Sequence, residues 1–90
     1  MYRYEAAPAF WRSYRKLTPA QQKLARQAWQ IFKCNPFDPR LGAHKIHSLS
    51  ARAKETVHAV VVDGDLRVVF VLRGSIVYTL DIGPPALYRT

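Results

Sequence analysis

The sequence predicts an α+β fold, in which an N-terminal helical hairpin packs on one face of a three- to four-stranded antiparallel sheet. The first 34 residues carry apolar side chains at helical spacing, whereas residues 56–82 contain three apolar, β-branched runs separated by short turns. Because the helices precede the strands, the two kinds of element are expected to form separate layers. Ninety residues suffice for one core, so residues 1–90 are expected to form a single domain.

The second helix of the hairpin has the clearest start signal. Thr18 is a typical N-cap residue, Pro19 suits the first helical position, and Gln21 stands three residues after the cap, as in a capping box. The helix is expected to stop before Pro36, because the residue preceding a proline disfavours the α conformation. A shorter helix is expected to begin near Pro8 and to end before Pro19.

Three strands are predicted, at residues 56–62, 66–72 and 76–82. The turns between them, Asp63–Asp65 and Arg73–Ser75, are of the length that joins antiparallel neighbours. The three strands are therefore expected to form a meander. Residues 1–7 are expected to form an edge strand or an extended arm, and residues 45–49 a short strand or an extended segment.

Side chains alternate along a strand, so each predicted strand has two faces. The wholly apolar set of the middle strand is expected to meet the helices, with Arg67 on the opposite face, away from the core. His58 is expected on the face of Arg67, because it belongs to the more polar set of its strand. The residues expected to face the helices are Leu66, Val68, Phe70, Leu72, Ile76, Tyr78, Leu80 and Ile82. Those expected to share the face of Arg67 are His58, Val69, Val71, Arg73, Val77, Thr79 and Asp81.

The chain is strongly basic. Fourteen Lys and Arg against six Asp and Glu give a formal net charge of +8, with a pI near 10.2. Such a charge suits a polyanion, whether nucleic acid, an acidic protein segment or an anionic membrane surface. The residues predicted to bind nucleic acid, on and around the face of Arg67, are Lys45, His47, Arg52, Lys54, Arg73 and Arg89.

Several kinds of protein and site are not expected. A single cysteine, Cys34, excludes an intramolecular disulfide. The first ten residues lack the apolar stretch of a signal peptide, and no run approaches the ~20 apolar residues of a membrane helix, so we expect a cytoplasmic protein without membrane contact. His44 and His47 have no Cys or acidic neighbour to complete a metal site, and no glycine-rich phosphate loop is present. We therefore predict no metal and no cofactor.

Three residues are candidates for catalysis, and each has a structural alternative. Arg67 either pairs with Asp81 or Asp65 or clamps a phosphate with its planar fork of donors. His58 is either a satisfied strand histidine or a general base. Tyr88 lies in a tail able to fold back over the sheet, where it caps the core, stacks on a base or donates a proton.

Four segments follow the predicted hairpin in a distinctive order. They are Asn35–Leu41 (Asn-Pro-Phe-Asp-Pro-Arg-Leu), Lys45–His47 (Lys-Ile-His), Asp65–Phe70 (Asp-Leu-Arg-Val-Val-Phe) and Leu80–Arg89 (Leu-Asp-Ile-Gly-Pro-Pro-Ala-Leu-Tyr-Arg). Over almost the full chain, this layout resembles the RelE/ParE superfamily, the small basic toxins of type II toxin–antitoxin pairs. Arg67 stands at the arginine of the family's middle-strand pattern, and Tyr88 at the tyrosine of its C-terminal pattern. Pro85 departs from the family, since many relatives carry histidine there, and so does Leu66, where an aromatic residue is usual.

The resemblance implies a ribosome-dependent mRNA endonuclease. In RelE-like members a ribose 2′-hydroxyl attacks the adjacent phosphate, which gives a 2′,3′-cyclic phosphate and a free 5′-hydroxyl. By this resemblance Arg67 supplies positive charge and Tyr88 stacks or acts as the acid. His58 is the expected base, with Lys54 or Lys45 as substitutes by charge. The implied partners are an acidic antitoxin protein, mRNA and ribosomal RNA.

The same superfamily leaves two alternatives open. ParE-like members poison gyrase without cutting RNA. Other members keep the fold but have a degraded site, and such a chain only binds its antitoxin. Fold resemblance alone does not choose among these functions.

Overall fold

The computed structural model describes residues 1–88. In chain order its elements are β1 (Arg3–Ala6), α1 (Pro8–Arg15), α2 (Pro19–Phe32), a 3₁₀ turn (Pro39–Leu41), β2 (His44–Lys45), α3 (His47–Ala53), β3 (Val57–Asp63), β4 (Leu66–Arg73), β5 (Ile76–Gly83) and a C-terminal 3₁₀ turn (Pro85–Tyr88). The predicted α+β class is confirmed. The sheet has five strands, in the order β1-β5-β4-β3-β2, rather than three or four. It is mixed, because β1 runs parallel to β5.

The helical hairpin forms as predicted. Thr18 and Gln21 make the capping box: Thr18 Oγ1 accepts from Gln21 N at 3.1 Å, and Gln21 Oε1 accepts from Thr18 N at 3.0 Å. The two helices lie over different strands, α1 against β5 and α2 against β3. Gln22 Nε2 donates to Tyr14 O at 3.1 Å and joins the helices near their short link.

Both edges of the sheet are short strands. Residues 3–6 pair with β5, so the N-terminal segment is an edge strand, one of its two expected forms. At the opposite edge, His44 and Lys45 pair with β3. The Tyr4 hydroxyl donates to Phe32 O at 2.6 Å and ties β1 to the end of α2.

Residues 47–53 form α3, whereas residues 45–49 were expected to form a short strand or an extended segment; Lys45 lies in β2, but the prediction is wrong from His47 onward. A helix of about two turns shows too little periodicity to be recognised, and helices this short depend on tertiary contacts. Here the contacts are local. Ser50 Oγ donates to Ile46 O at 2.7 Å and accepts from Val57 N at 2.9 Å, which fixes the helix to β3.

The sheet is buried on both faces. The hairpin face carries a cluster of Phe32, Leu41, Val60, Phe70 and Val77. The opposite face carries a second cluster of Ile46, Val57, Ala59, Val69 and Val71, with Leu49 of α3 and Tyr88 of the C-terminal turn packed against it. The expectation that the face of Arg67 points away from any core is therefore wrong, because Val69 is 4% and Val71 0% exposed.

A β-bulge in β5 shifts the pairing of the last strand. Val69 pairs with Asp81, but the next residue of β4, Phe70, pairs with Thr79. Leu80 is the extra residue of this bulge. Because side chains alternate with a period of two, one extra residue exchanges the faces of everything on one side of it.

Because of the bulge, part of the predicted side-chain facing of β5 is wrong. Val77 and Thr79 were expected on the face of Arg67, but they lie on the hairpin face. Tyr78 and Leu80 were expected to face the helices, but they pack against the second cluster. Beyond the bulge the alternation is restored, and Ile82 faces the hairpin as predicted.

Replacing Phe70 by leucine is expected to lower the free energy of unfolding by about 1–1.5 kcal/mol. The Phe70 ring is 0% exposed and contacts the rings of Phe32 and His58 at centroid distances of 5.2 and 5.4 Å, and leucine loses both contacts. Phe37→Leu is the matched control, because its ring is 36% exposed, and it should cost less than about 0.5 kcal/mol. Urea unfolding followed by tryptophan fluorescence measures both variants. Equal losses would contradict the place of Phe70 at the centre of the core.

Candidate functional site

Arg67 has neither of the acidic partners that the sequence suggested. Its Nη1 donates to the carbonyl oxygens of Asp63 at 2.7 Å and Gly64 at 2.8 Å, and more weakly to that of Leu66 at 3.4 Å. The half-buried guanidinium therefore closes the turn between β3 and β4. Alternation along β4 puts it on the face of Val69, as predicted. Carbonyl oxygens satisfy donors without neutralising the charge, so Arg67 remains a cation at the end of this face.

His58 lies on the face opposite Arg67, so its predicted placement is wrong. It pairs directly with Phe70 across β3 and β4, and its ring stacks on the Phe70 ring at 5.4 Å and 23°. Phe37 meets the same imidazole edge-on at 5.2 Å. The Nδ1 atom is buried and has no hydrogen-bond partner within residues 1–88. Its neighbours are aromatic, and its suggested role as a base stays a prediction.

Tyr88 folds back over the sheet, as expected for the tail. Ser48 of α3 donates its hydroxyl to Tyr88 O at 3.1 Å. A Cβ on Gly83 would stand 3.3 Å from the Leu87 side chain, so the tail turns away from β5 over a residue without a side chain. The half-buried Tyr88 ring packs against the second cluster and meets the His44 ring at 6.3 Å and 84°.

His44 is a candidate that the sequence patterns did not single out. It is exposed on β2 and pairs with Ala59, which places it on the face of the second cluster. Its Nδ1 lies 3.0 Å from Gly42 O, and Gly42 adopts the left-handed conformation at φ +58°. In the sequence, His44 is marked only by its place next to Lys45 in a short edge segment. That placement indicates a functional role only when the structure shows that Tyr88 of the tail lies against His44.

Three of the predicted nucleic-acid-binding residues come together. Lys45, His47 and Lys54 line one shallow depression of about 440 Å³ between β2 and the end of α3. Lys54 ends α3 in the left-handed conformation, with φ 57°. We call these three residues the basic edge. Its side chains are exposed, so they are open to an anionic ligand.

The other predicted nucleic-acid-binding residues lie apart from the basic edge. Arg73 is paired with Glu55 at 2.8 Å and lies 4.9 Å over the Tyr78 ring, so its charge is largely matched within the fold. The pairing lowers the pKa of the Glu55 carboxyl. Arg52 is exposed on α3. Arg89 lies outside the described residues.

An apolar groove of about 540 Å³ separates the helical hairpin from the sheet. Trp11 and Trp29 line it and are 47% and 41% exposed, which is unusual for side chains of this size. Arg26 also lines the groove, with its Nη1 3.3 Å from the Tyr14 hydroxyl. The groove is mostly apolar, and the two charged residues of its lining, Arg26 and Glu5, have opposite signs, so its chemistry differs from that of the basic edge.

Within residues 1–88, no three His, Cys, Asp or Glu side chains are close enough to hold a metal ion together. In the same part of the chain, none of the helices has the length and apolar character needed to cross a membrane.

His58 is expected to make the stability of the fold depend on pH. Burial lowers the pKa of its imidazole, and neighbouring Lys45 and His44 lower it further. Because the folded pKa lies below the unfolded value of about 6.5, the unfolded chain binds more protons, and stability is lost as pH falls through the folded pKa. Urea unfolding between about pH 7 and pH 5 should show a smaller loss for His58→Phe than for the wild type. His47→Gln, at an exposed histidine, should keep the wild-type loss; an unchanged loss in His58→Phe would contradict the burial of this imidazole.

No protein-family model matches the chain, and no curated protein matches it. Solved structures do match. A chain of the archaeal RelE–RelB complex from Pyrococcus horikoshii OT3 superimposes with a TM-score of 0.70 at 15% identity, covering 92% of this chain and 93% of that one. YafQ from Escherichia coli BL21(DE3) gives 0.69 at 14% identity, with 97% of each chain covered. A chain of the E. coli DinJ–YafQ complex gives 0.64 at 14% identity over the full length of both.

These three matches cover at least 92% of this chain and at least 93% of each matched chain. The identities are too low to carry residue roles from one chain to the other. The likeness is one of architecture, and the chain has the fold of the RelE-family toxins.

Proposed function

We propose that this chain is the toxin of a type II toxin–antitoxin pair, an endoribonuclease that cuts mRNA on the ribosome. The observation that carries the proposal is the arrangement at one end of a RelE-type fold: Tyr88 is held against His44, which directly precedes Lys45 of the exposed basic edge in β2. Because fold alone does not decide function, the proposal depends on whether these side chains suit the chemistry of RNA cleavage.

Cleavage by the ribose 2′-hydroxyl has three chemical needs. A base removes the hydroxyl proton, positive charge stabilises the extra negative charge on the phosphate oxygens, and an acid protonates the departing 5′ oxygen. Lys45 and Lys54 of the basic edge offer the positive charge, and both are exposed. The Tyr88 hydroxyl offers the proton, and its ring offers a surface on which a base stacks.

Arg67 is suited to adding positive charge near the phosphate. Its Nη1 is occupied by the carbonyl oxygens of the β3–β4 turn, and its Nε and Nη2 make no hydrogen bond within residues 1–88. Those two nitrogens are available to a phosphate oxygen, and the turn holds the guanidinium in place. Arg67 therefore serves as a fixed cation at the end of the face that carries Tyr88.

The endonuclease is tested by inducing the chain without its antitoxin and mapping the 5′ ends of mRNA. We expect new ends with a free 5′-hydroxyl, and we expect Lys45→Ala/Lys54→Ala to reduce them at least about tenfold by removing charge at the phosphate. Lys23→Ala/Lys33→Ala, within α2 and directly after it, is the matched control, with the same change in net charge, and it should cut like the wild type. Growth arrest with intact transcripts would contradict the proposal, and blocked DNA supercoiling by the purified chain would point to gyrase instead.

The apolar groove is the surface we propose for the antitoxin. Residues 6–37, which include both helices of the hairpin, contain no acidic residue and six cations: Arg12, Arg15, Lys16, Lys23, Arg26 and Lys33. An acidic segment with apolar side chains on one face matches both the charge of this region and the exposed Trp11 and Trp29. The RelE–RelB and DinJ–YafQ structures are themselves complexes of two proteins, which supports a protein partner for this chain.

A charge reversal inside the groove tests this surface. Arg26→Glu should raise the Kd for the protein encoded beside this chain's gene about tenfold and leave mRNA cleavage unchanged, because Arg26 lines the groove. Arg52→Glu makes the same charge change on α3, outside the groove, and should weaken cleavage and leave that Kd unchanged. Equal effects of the two substitutions on the Kd would place the antitoxin elsewhere. Calorimetric titration and end mapping supply the two readouts.

A further inference from the structure

We infer that His44 is the general base of the site, taking the proton of the 2′-hydroxyl, with Tyr88 as the acid on the leaving oxygen. The inference rests on the proposed function, and it gives the role of base to a histidine that the sequence patterns did not single out. The His44 and Tyr88 rings meet edge to face, 6.3 Å apart between centroids.

The orientation of the His44 ring is fixed by the backbone. Its Nδ1 lies 3.0 Å from Gly42 O, and a carbonyl oxygen only accepts, so Nδ1 carries the hydrogen and donates it. In the neutral imidazole the other nitrogen, Nε2, then bears the lone pair. Gly42 turns its carbonyl this way at a positive φ of 58°, which glycine adopts without strain. A histidine with one nitrogen held by a carbonyl and the other open is arranged as a base.

Both partners are anchored on separate elements. His44 belongs to β2 and is held by its pairing with Ala59. Tyr88 is held by the Ser48 hydroxyl on its own carbonyl oxygen and by packing on the second cluster. His44 and Tyr88 are therefore each held in position without the other. A substrate that binds between the imidazole and the phenol hydroxyl leaves both anchors intact.

The other two histidines are less suited to the role. His58 lies on the opposite face, stacked on Phe70 with its Nδ1 buried. His47 is exposed at the start of α3 and lines the depression of the basic edge, where it adds to the binding surface. Of the three, His44 is the one in contact with Tyr88.

The 2′-hydroxyl gives its proton to His44 Nε2, and the 2′ oxygen forms a bond to phosphorus. The bond from phosphorus to the 5′ oxygen breaks, and that oxygen takes the proton of the Tyr88 hydroxyl. The products are a 2′,3′-cyclic phosphate and a 5′-hydroxyl, and proton exchange with water restores the imidazole and the phenol. The attacking and leaving oxygens lie on opposite sides of phosphorus, so base and acid come from different elements.

A substrate with sulfur in place of the bridging 5′ oxygen separates the two roles, because a thiolate leaves without being protonated. The experiment uses a short mRNA on ribosomes, with either oxygen or sulfur at the cleaved linkage, and the full chain as wild type, His44→Ala and Tyr88→Phe. On the oxygen substrate each variant should cut about 100-fold more slowly, the lower end of the effect of a general acid or base. On the sulfur substrate Tyr88→Phe should recover to within about threefold of the wild type, whereas His44→Ala should remain about 100-fold slower.

Gln27→Ala is the control, since it removes an exposed polar side chain of α2, outside the site, and should cut at close to the wild-type rate. Thermal unfolding of each variant verifies that the fold is intact, and His44 is exposed, so its loss leaves the core unchanged. Cleavage by His44→Ala at the rate of Gln27→Ala would overturn the assignment while the proposed function stands. Recovery of His44→Ala on the sulfur substrate would overturn it too, by making His44 the acid. Failure of the wild type to cut either RNA would overturn the proposed function itself, and the assignment with it.

Discussion

Strand β4 is buried on both faces, and this burial determines how the other elements pack. Phe70 faces the hairpin, and Val69 and Val71 face the other way, all at 4% exposure or less. Burying one valine side chain contributes roughly 1.5–3 kcal/mol, so leaving both valines in water would remove a large part of the ~5–15 kcal/mol that stabilises a domain. The second face therefore needs a cover, and α3 and the C-terminal turn provide it. Covering that face is what brings Tyr88 to His44.

Charge is arranged around this double-sided sheet in two separate zones. In the hairpin region, residues 6–37 contain six cations and no acidic residue. The basic edge, with Lys45 and Lys54, lies at the edge of the sheet formed by β2. Arg73, which the sequence put with the second zone, is matched by Glu55. Two cationic zones with different lining suit two different anions. The groove is apolar inside, which favours a folded acidic segment, and the basic edge is exposed and shallow, which favours a phosphate backbone.

The sequence predicted those features that follow from local chemistry. The capping box of Thr18 and Gln21 and the meander rest on residues close together in the chain. The errors in side-chain facing share a non-local cause. The bulge at Leu80 reverses the facing of residues 77–80, and no residue type in β5 predicts a bulge there. His58 was placed by polarity, but its ring is accommodated between two aromatic rings, Phe37 and Phe70. His44 gains a role only from Tyr88, 44 positions later in the chain.

We propose that RNA is cut at the end of the sheet where the tail returns. Cryo-electron microscopy of the full chain on a ribosome, with an mRNA whose attacking 2′-hydroxyl is methylated, tests this proposal. The scissile phosphate should lie between His44 and Tyr88, with the Tyr88 hydroxyl within about 3 Å of the 5′ oxygen. An mRNA lying along the hairpin groove, or a ribosome to which the chain does not bind, would contradict it.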